Sequence, residues 1–109
     1  MHNVYFGTGN ANLSEADKKA LQELVDLMIE NPDLKIEIAG HTDNVGSPST
    51  NLSLSEDRAD NVAKFVISKD VSLLRLQSVG YGHSRPMASN DDKIGGRELN
   101  RRIEIVVIE

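Results

Sequence analysis

The chain predicts an α+β domain in the order β-α-β-α-β-β, a single mixed sheet of about four strands with two main helices packed on one face. Three observations lead there. Two stretches carry apolar residues at three- and four-residue steps behind a capping signal, and other short stretches alternate apolar with polar residues. The first of those strands and helices alternate, and a strand–helix–strand unit calls for a right-handed crossover with its helix on the sheet. At 109 residues the chain is long enough for one domain.

Each element has its own signal. Val4-Tyr5-Phe6 is a short β-prone run, broken at once by Gly7-Thr8-Gly9-Asn10. Ser14 followed by Asp17 is a capping box, in which each residue satisfies a backbone N–H of the other. Behind it Ala20, Leu21, Leu24, Leu27 and Met28 form an apolar stripe, and Asn31-Pro32 stops the helix. Residues 34–39 alternate, with Leu34, Ile36 and Ile38 on one face. Residues 44–50 form a polar loop, after which Ser53 and Glu56 are placed to cap a second helix. That helix carries Leu54, Ala59, Val62, Ala63 and Val66, and fades around Ser68-Lys69-Asp70. Residues 74–81 are a third extended segment, ended by Gly80-Tyr81-Gly82. A polar stretch, 83–100, leads to a terminal strand in which Ile103, Ile105 and Val107 alternate with Glu104, Val106 and Ile108. The last two strands are expected to be neighbours.

Composition narrows the function. Lys plus Arg number 12 and Asp plus Glu 17, a net charge of −5. Nucleic-acid binding, which needs a basic face, is therefore not expected. Apolar residues make up 39% and aromatics only 4%, so aliphatic side chains must fill the core. With no Cys there is no disulfide, thiolate metal site or cysteine nucleophile. No apolar run approaches the ~20 residues of a membrane helix.

The chemistry concentrates between Gly40-His41-Thr42-Asp43 and the second helix. Asp43 follows the end of a strand, and Arg58 is expected in the opening turns of the helix, where the dipole disfavours a cation by ~0.3–1 kcal/mol. Two readings stand side by side. Arg58 pairs with Asp43, Glu56 or a neighbour as a structural ion pair. Alternatively the two charges clamp a zwitterion, Asp43 taking the ammonium and Arg58 the carboxylate, with Asn51 adding an amide donor or acceptor. Metal ligation by His41, Asp43 and His83 is a third reading that no ligand spacing enforces. Gly80-Tyr81-Gly82 lacks the third glycine of a dinucleotide fingerprint. No Ser-His-Asp arrangement can be assembled. Arg97 and Arg101-Arg102 form a basic cluster, read as solvated or ion-paired side chains at the start of the last strand.

Taken together, Gly40-His41-Thr42-Asp43, Gly46-Ser47, Asn51, Leu54-Ser55, Arg58-Ala59, Val62, Gly80-Tyr81-Gly82, Pro86, Asn90, Gly96-Arg97 and Asn100-Arg101-Arg102-Ile103-Glu104 resemble, in order and spacing, the OmpA-like C-terminal domain. That family also includes peptidoglycan-associated lipoprotein and, in related form, MotB. The resemblance spans nearly the whole chain.

It implies non-covalent binding of peptidoglycan in the Gram-negative periplasm, through the meso-diaminopimelate of the stem peptide. This residue ends in an ammonium and a carboxylate on one carbon. The family's aspartate and helix arginine fall on Asp43 and Arg58, its loop asparagine on Asn51. Thr42, Leu54 and Ala59 fall on positions that line or shape the pocket. Many members carry an Asp where this chain has Gly7-Thr8-Gly9, so contacts from that loop fall to Thr8 or the backbone.

No catalysis and no cofactor are expected, and residues 1–109 are read as one domain excised from a larger exported protein, associated with the outer membrane. A periplasmic protein-interaction module without cell-wall ligand is the alternative, and a homodimer is left open. Alanine at Asp43 or Arg58 is expected to abolish binding with the fold intact. Low pH, by protonating Asp43, and high salt, by screening an open pocket, should both weaken binding.

Overall fold

The structure, a computed structural model, describes residues 3–5 through their backbone, and residues 12–42, 44, 46–84 and 102–108. Strand β1 (Asn3–Tyr5) is followed by helix α1 (Glu15–Glu30), β2 (Ile36–Gly40), α2 (Pro48–Ser68), a 3-10 turn (Leu73–Arg75), β3 (Leu76–Gly80) and β4 (Arg102–Val107).

Helix α1 starts as the sequence indicates. The Ser14 hydroxyl accepts from the Asp17 N–H at 3.1 Å, and the Asp17 carboxylate accepts from the Ser14 N–H at 2.9 Å. Its buried stripe is Leu21, Leu24, Val25 and Met28. Leu27, about 100° around the helix from Met28, is left 49% exposed. At the other end Asn31 caps the Leu27 carbonyl with its N–H and its side-chain amide, at 3.1 and 2.8 Å. Arg75 reaches the same end from the 3-10 turn. Its guanidinium donates to the carbonyls of Met28 and Asn31 at 2.7 Å each and of Leu34 at 3.0 Å. It closes carbonyls that a helix end leaves without an internal partner.

The four strands form one sheet in the order β1-β4-β2-β3. This corrects the expected pairing: β3 and β4 are not neighbours, because β2 lies between them. β3 pairs parallel with β2, and β4 runs antiparallel to both β2 and β1. The burial pattern supplies the reason. Ile103 and Ile105 are 0% and 5% exposed and need apolar neighbours on both sides. β3 turns Leu76, Ser78 and Gly80 toward the helices and leaves Gln77 and Ser78 exposed, which suits an edge strand.

The core lies between the helices and one face of the sheet. It joins Leu21, Leu24, Val25 and Met28 of α1 to Ile36 and Ile38 of β2, Ala59, Val62 and Val66 of α2, and Ile103 and Ile105 of β4. Both helices thus cover the same face. The α+β reading holds, with corrections to the element boundaries. Strand β2 is Ile36–Gly40, starting two residues later and ending one residue later than the alternation indicated, and the third extended segment opens as the 3-10 turn, its strand running only from Leu76 to Gly80. Helix α2 starts at Pro48, not at Ser53: Ser47 is its N-cap, accepting from the Thr50 N–H at 3.1 Å, and Pro occupies the first turn.

Candidate ligand site

Two glycines let α2 rest directly on the strand ends. A Cβ at Gly80 would stand 2.6 Å from the Glu56 nitrogen and 2.7 Å from the Ser55 hydroxyl, and one at Gly40 would run into the Ser55 carbonyl. The N-terminal half of α2 is thereby pressed onto the C-terminal rim of β2 and β3. The Ser55 hydroxyl accepts from the Gly82 N–H at 2.9 Å and donates to the Leu52 carbonyl at 2.7 Å. Gly82 has φ +59°, the left-handed conformation that favours glycine, and its carbonyl accepts from the Thr42 N–H at 2.8 Å.

Along this half of α2 the buried side chains are polar. Asn51, Ser55 and Arg58, spaced four and three residues apart, share the sheet-facing side, followed by the apolar Ala59, Val62 and Val66. Arg58 is 0% exposed and is the largest fully buried side chain among the described residues. Its Nη1 donates to the His41 carbonyl at 3.3 Å. A guanidinium inside a protein survives only with hydrogen-bonded partners, because desolvation costs several kcal/mol otherwise. The strand-end carbonyl is one such partner.

With α2 starting at Pro48, Arg58 lies midway along the helix. The dipole argument that drew attention to it does not apply; burial is the cause that demands compensation. Thr42 and Asn51, 3% and 4% exposed, are buried at the same end of the sheet. Ala59 follows Arg58 into the core. Leu54 is half-buried on the flank, where it lines a cleft of about 400 Å³ with Ser49, Thr50, Ser53 and Asp57. Asp43 and Thr8 lie outside the described residues, as do Arg97 and Arg101. The arrangement therefore gathers Thr42, Asn51, Arg58 and Ala59 and leaves Leu54 at the edge.

The opposite face of the sheet carries a second set of polar contacts that sequence reasoning did not find. The His41 ring stacks on Tyr81, centroids 5.3 Å apart and planes 15° apart. Tyr81 donates its hydroxyl to Glu37 at 2.6 Å. Glu104 lies 3.8 Å from His41 Nε2 and accepts from Arg102 Nε and Nη2 at 3.2 and 3.1 Å. Arg102, buried on β4, is thus ion-paired, as the basic cluster suggested. The signal was available: period two puts residues 37, 41, 81, 102 and 104 on the face away from the helices once the register is known. Among the described residues, no group of three His, Asp or Glu side chains is placed to hold a metal ion.

A buried, planar cation lies at the carboxyl ends of β2 and β3, with a buried amide and a buried hydroxyl residue at the same end, an arrangement whose donors are chemically suited to an anionic or zwitterionic group. Comparison with known proteins gives the chain a family. A sequence model of the OmpA family matches residues 5–101, and the chain belongs to that family. It is 41% identical over 87 residues to outer membrane porin F of Pseudomonas fluorescens, covering 80% of this chain and 26% of the other. To the peptidoglycan-binding protein ArfA of Mycobacterium tuberculosis it is 39% identical over 104 residues, covering 95% and 32%. The chain spans about a quarter to a third of the length of these two relatives.

Among solved structures, peptidoglycan-associated lipoprotein from Burkholderia pseudomallei superposes with a TM-score of 0.92 at 26% identity, covering 98% of this chain and 90% of that one. The C-terminal domain of Helicobacter pylori MotB gives 0.91 at 22% identity, covering 100% and 85%, a likeness of fold.

Proposed function

We propose that this domain binds peptidoglycan non-covalently through the meso-diaminopimelate of the stem peptide. It would serve as the wall-holding domain of a longer envelope protein, tethering an outer membrane or an envelope complex from the periplasmic side. The observation that carries this reading is the buried Arg58 guanidinium, held at the sheet's carboxyl end by the His41 carbonyl beside Thr42 and Asn51. Family membership and the names of two relatives, a peptidoglycan-binding protein and a peptidoglycan-associated lipoprotein, supply the polymer.

In this reading Arg58 takes the distal carboxylate of diaminopimelate with its forked donors, and Asp43 takes the ammonium on the same carbon. Asn51 contributes amide hydrogen bonds, Thr42 and Ala59 shape the floor, Leu54 walls the entrance, and Thr8 takes the place of a third carboxylate. The role is binding without bond cleavage. Modest affinity per copy is sufficient, because many copies on one membrane face a polymeric wall.

Arg58 has no open surface, so ligand reaches it only after the site opens. Association should accordingly be slower than the ~10⁵–10⁷ M⁻¹s⁻¹ of preformed sites.

The test is calorimetric titration with a diaminopimelate-containing stem peptide and its lysine-containing equivalent, which differs only by lacking the distal carboxylate. Heat with the first and little with the second supports both the anchor and the two-charge clamp. Equal heats keep the anchor and remove Arg58 from the ligand. Silence with both refutes the proposal in favour of a protein-interaction module.

A further inference from the structure

We infer that the stacked His41–Tyr81 pair, on the sheet face turned away from the helices, positions Arg58 and thereby sets the domain's preference for a ligand bearing a second carboxylate. The inference rests on the peptidoglycan-binding reading above, and it concerns residues that never touch the ligand.

The connection runs through one peptide unit, the one joining His41 to Thr42. Its carbonyl accepts from the Arg102 N–H at 3.3 Å and from Arg58 Nη1 at 3.3 Å. Its N–H, that of Thr42, donates to the Gly82 carbonyl at 2.8 Å on the other side. In a planar trans peptide the C=O and N–H point in opposite directions, so tilting one tilts the other. This unit therefore bridges β4, β2 and the end of β3, and its tilt sets where the carbonyl dipole meets the guanidinium.

Beyond these backbone bonds, the further constraint on the tilt that we infer is the His41 side chain. That ring lies flat against Tyr81, and Tyr81 is itself tied by its hydroxyl to Glu37 at 2.6 Å, back along β2. The ring edge faces Glu104 of β4 at 3.8 Å, and Glu104 is held in turn by Arg102 at 3.1 Å. Both ring partners thus lie on the two strands that flank β2 at this level. His41 is 3% exposed and Arg102 4%, so both are shielded from water, while Glu104 and Tyr81 are partly exposed.

Removing the stack leaves that peptide held by its backbone hydrogen bonds to Arg102 and Gly82 and lets it tilt within them. The guanidinium then follows its acceptor and presents its fork off the line that a bidentate carboxylate requires. A lysine side chain, lacking the distal carboxylate, offers the guanidinium no acceptor and so does not read that geometry. Selectivity, rather than affinity in general, is what the stack controls.

The experiment titrates the full 109-residue chain and three variants, Tyr81→Leu, Tyr81→Phe and His41→Phe, with the diaminopimelate and lysine stem peptides. The two phenylalanine variants keep paired rings; Tyr81→Leu does not. Tyr81→Leu should lose about tenfold in affinity for the diaminopimelate peptide, the effect of one misaimed charge-assisted hydrogen bond, and less than about twofold for the lysine peptide. The phenylalanine variants should keep the wild-type ratio within about twofold. A parallel loss for both peptides, or an unchanged ratio in Tyr81→Leu, would overturn the inference.

If Tyr81→Leu does not fold, NMR titration of the wild-type chain decides. The His41 and Tyr81 ring signals should shift with the same midpoint as the Arg58 Nε–H signal, and rings that stay still refute the coupling. A wild-type chain that binds neither peptide, or both equally, refutes the Arg58 assignment itself, and this inference falls with it. That outcome is distinct from a selective wild type whose Tyr81→Leu variant remains selective.

Discussion

Arg58 offers a way to separate what a buried charge does for the fold from what it does for a ligand. The paired perturbation is Arg58→Ala and Arg58→Met. Arg58 is wholly buried, so truncation to a methyl group leaves a cavity inside α2's contact with the sheet. Large-to-small changes of this kind cost about 3–5 kcal/mol. The His41 carbonyl also loses one partner, but it keeps the Arg102 N–H at 3.3 Å, so little is added for an unsatisfied acceptor.

Methionine refills most of the volume without charge. Removing a buried charge while its partners stay is itself destabilising, so Arg58→Met should recover only the cavity part of the loss and remain less stable than wild type. Urea unfolding reads both values, provided the slope m is unchanged, and calorimetry reads binding on the same samples. Both variants should fail to bind the diaminopimelate peptide, while alanine lowers the unfolding midpoint further than methionine does. The expectation that Arg58→Ala leaves the fold intact is thereby replaced. An alanine variant as stable as wild type would refute the burial argument, and a methionine variant that binds normally would remove Arg58 from the ligand.

Other consequences are testable alongside. Arg75→Ala should cost about 2–3 kcal/mol, since one guanidinium serves three carbonyls at the end of α1; Arg75→Lys should recover less than half, because an ammonium cannot span them. Faster amide exchange in residues 28–36 would locate the damage. Gly80→Ala should lose about 2–3 kcal/mol by driving α2 off the strand ends, measured as a drop in unfolding midpoint. Ser14→Ala and Asp17→Ala should each cost up to about 1 kcal/mol and together less than their sum, because they share one reciprocal cap. The burial of Arg58 revises the expected salt effect: binding should change less than about threefold when salt rises from roughly 0.05 to roughly 0.5 M, since screening acts weakly on a buried cation; a steep salt slope would mean that Arg58 meets its ligand in open water.

The parts legible in the sequence are those governed by near neighbours. The Ser14–Asp17 box, the stripe through Leu21, Leu24 and Met28 and the stop at Asn31-Pro32 are all local, and all are present. The start of α2 was hidden because its first turns bury Asn51 and Ser55, polar residues that do not register as a core-facing stripe. Pro48 was the better signal, being tolerated in a first helical turn. Strand order was hidden for a different reason. The insertion of β4 between β1 and β2 joins segments far apart along the chain, as in Ile38 against Ile105 and Val4 against Ile103, and nothing local to either encodes the partner. Arg58 was found through a dipole argument that the true helix start removes, and its burial became evident only with the sheet rim in place. The His41–Tyr81 stack needed two registers to be known first.

The sheet order has a bearing on how the chain is made. Residues 102–107 form an interior strand, yet they are synthesised after every other element. Until they emerge, β1 has no neighbour, and β2 and β3 form a pair whose inner edge is bare. A ribosome-bound chain can build α1 and the β2–α2–β3 unit early, but it cannot close the core, since Ile103 and Ile105 are missing from it. Such late, distant pairing is slow and leaves an exposed strand edge in the meantime. A nascent chain arrested before residue 102 would therefore be protease-sensitive throughout, and the emergence of residues 102–107 commits the whole domain at once.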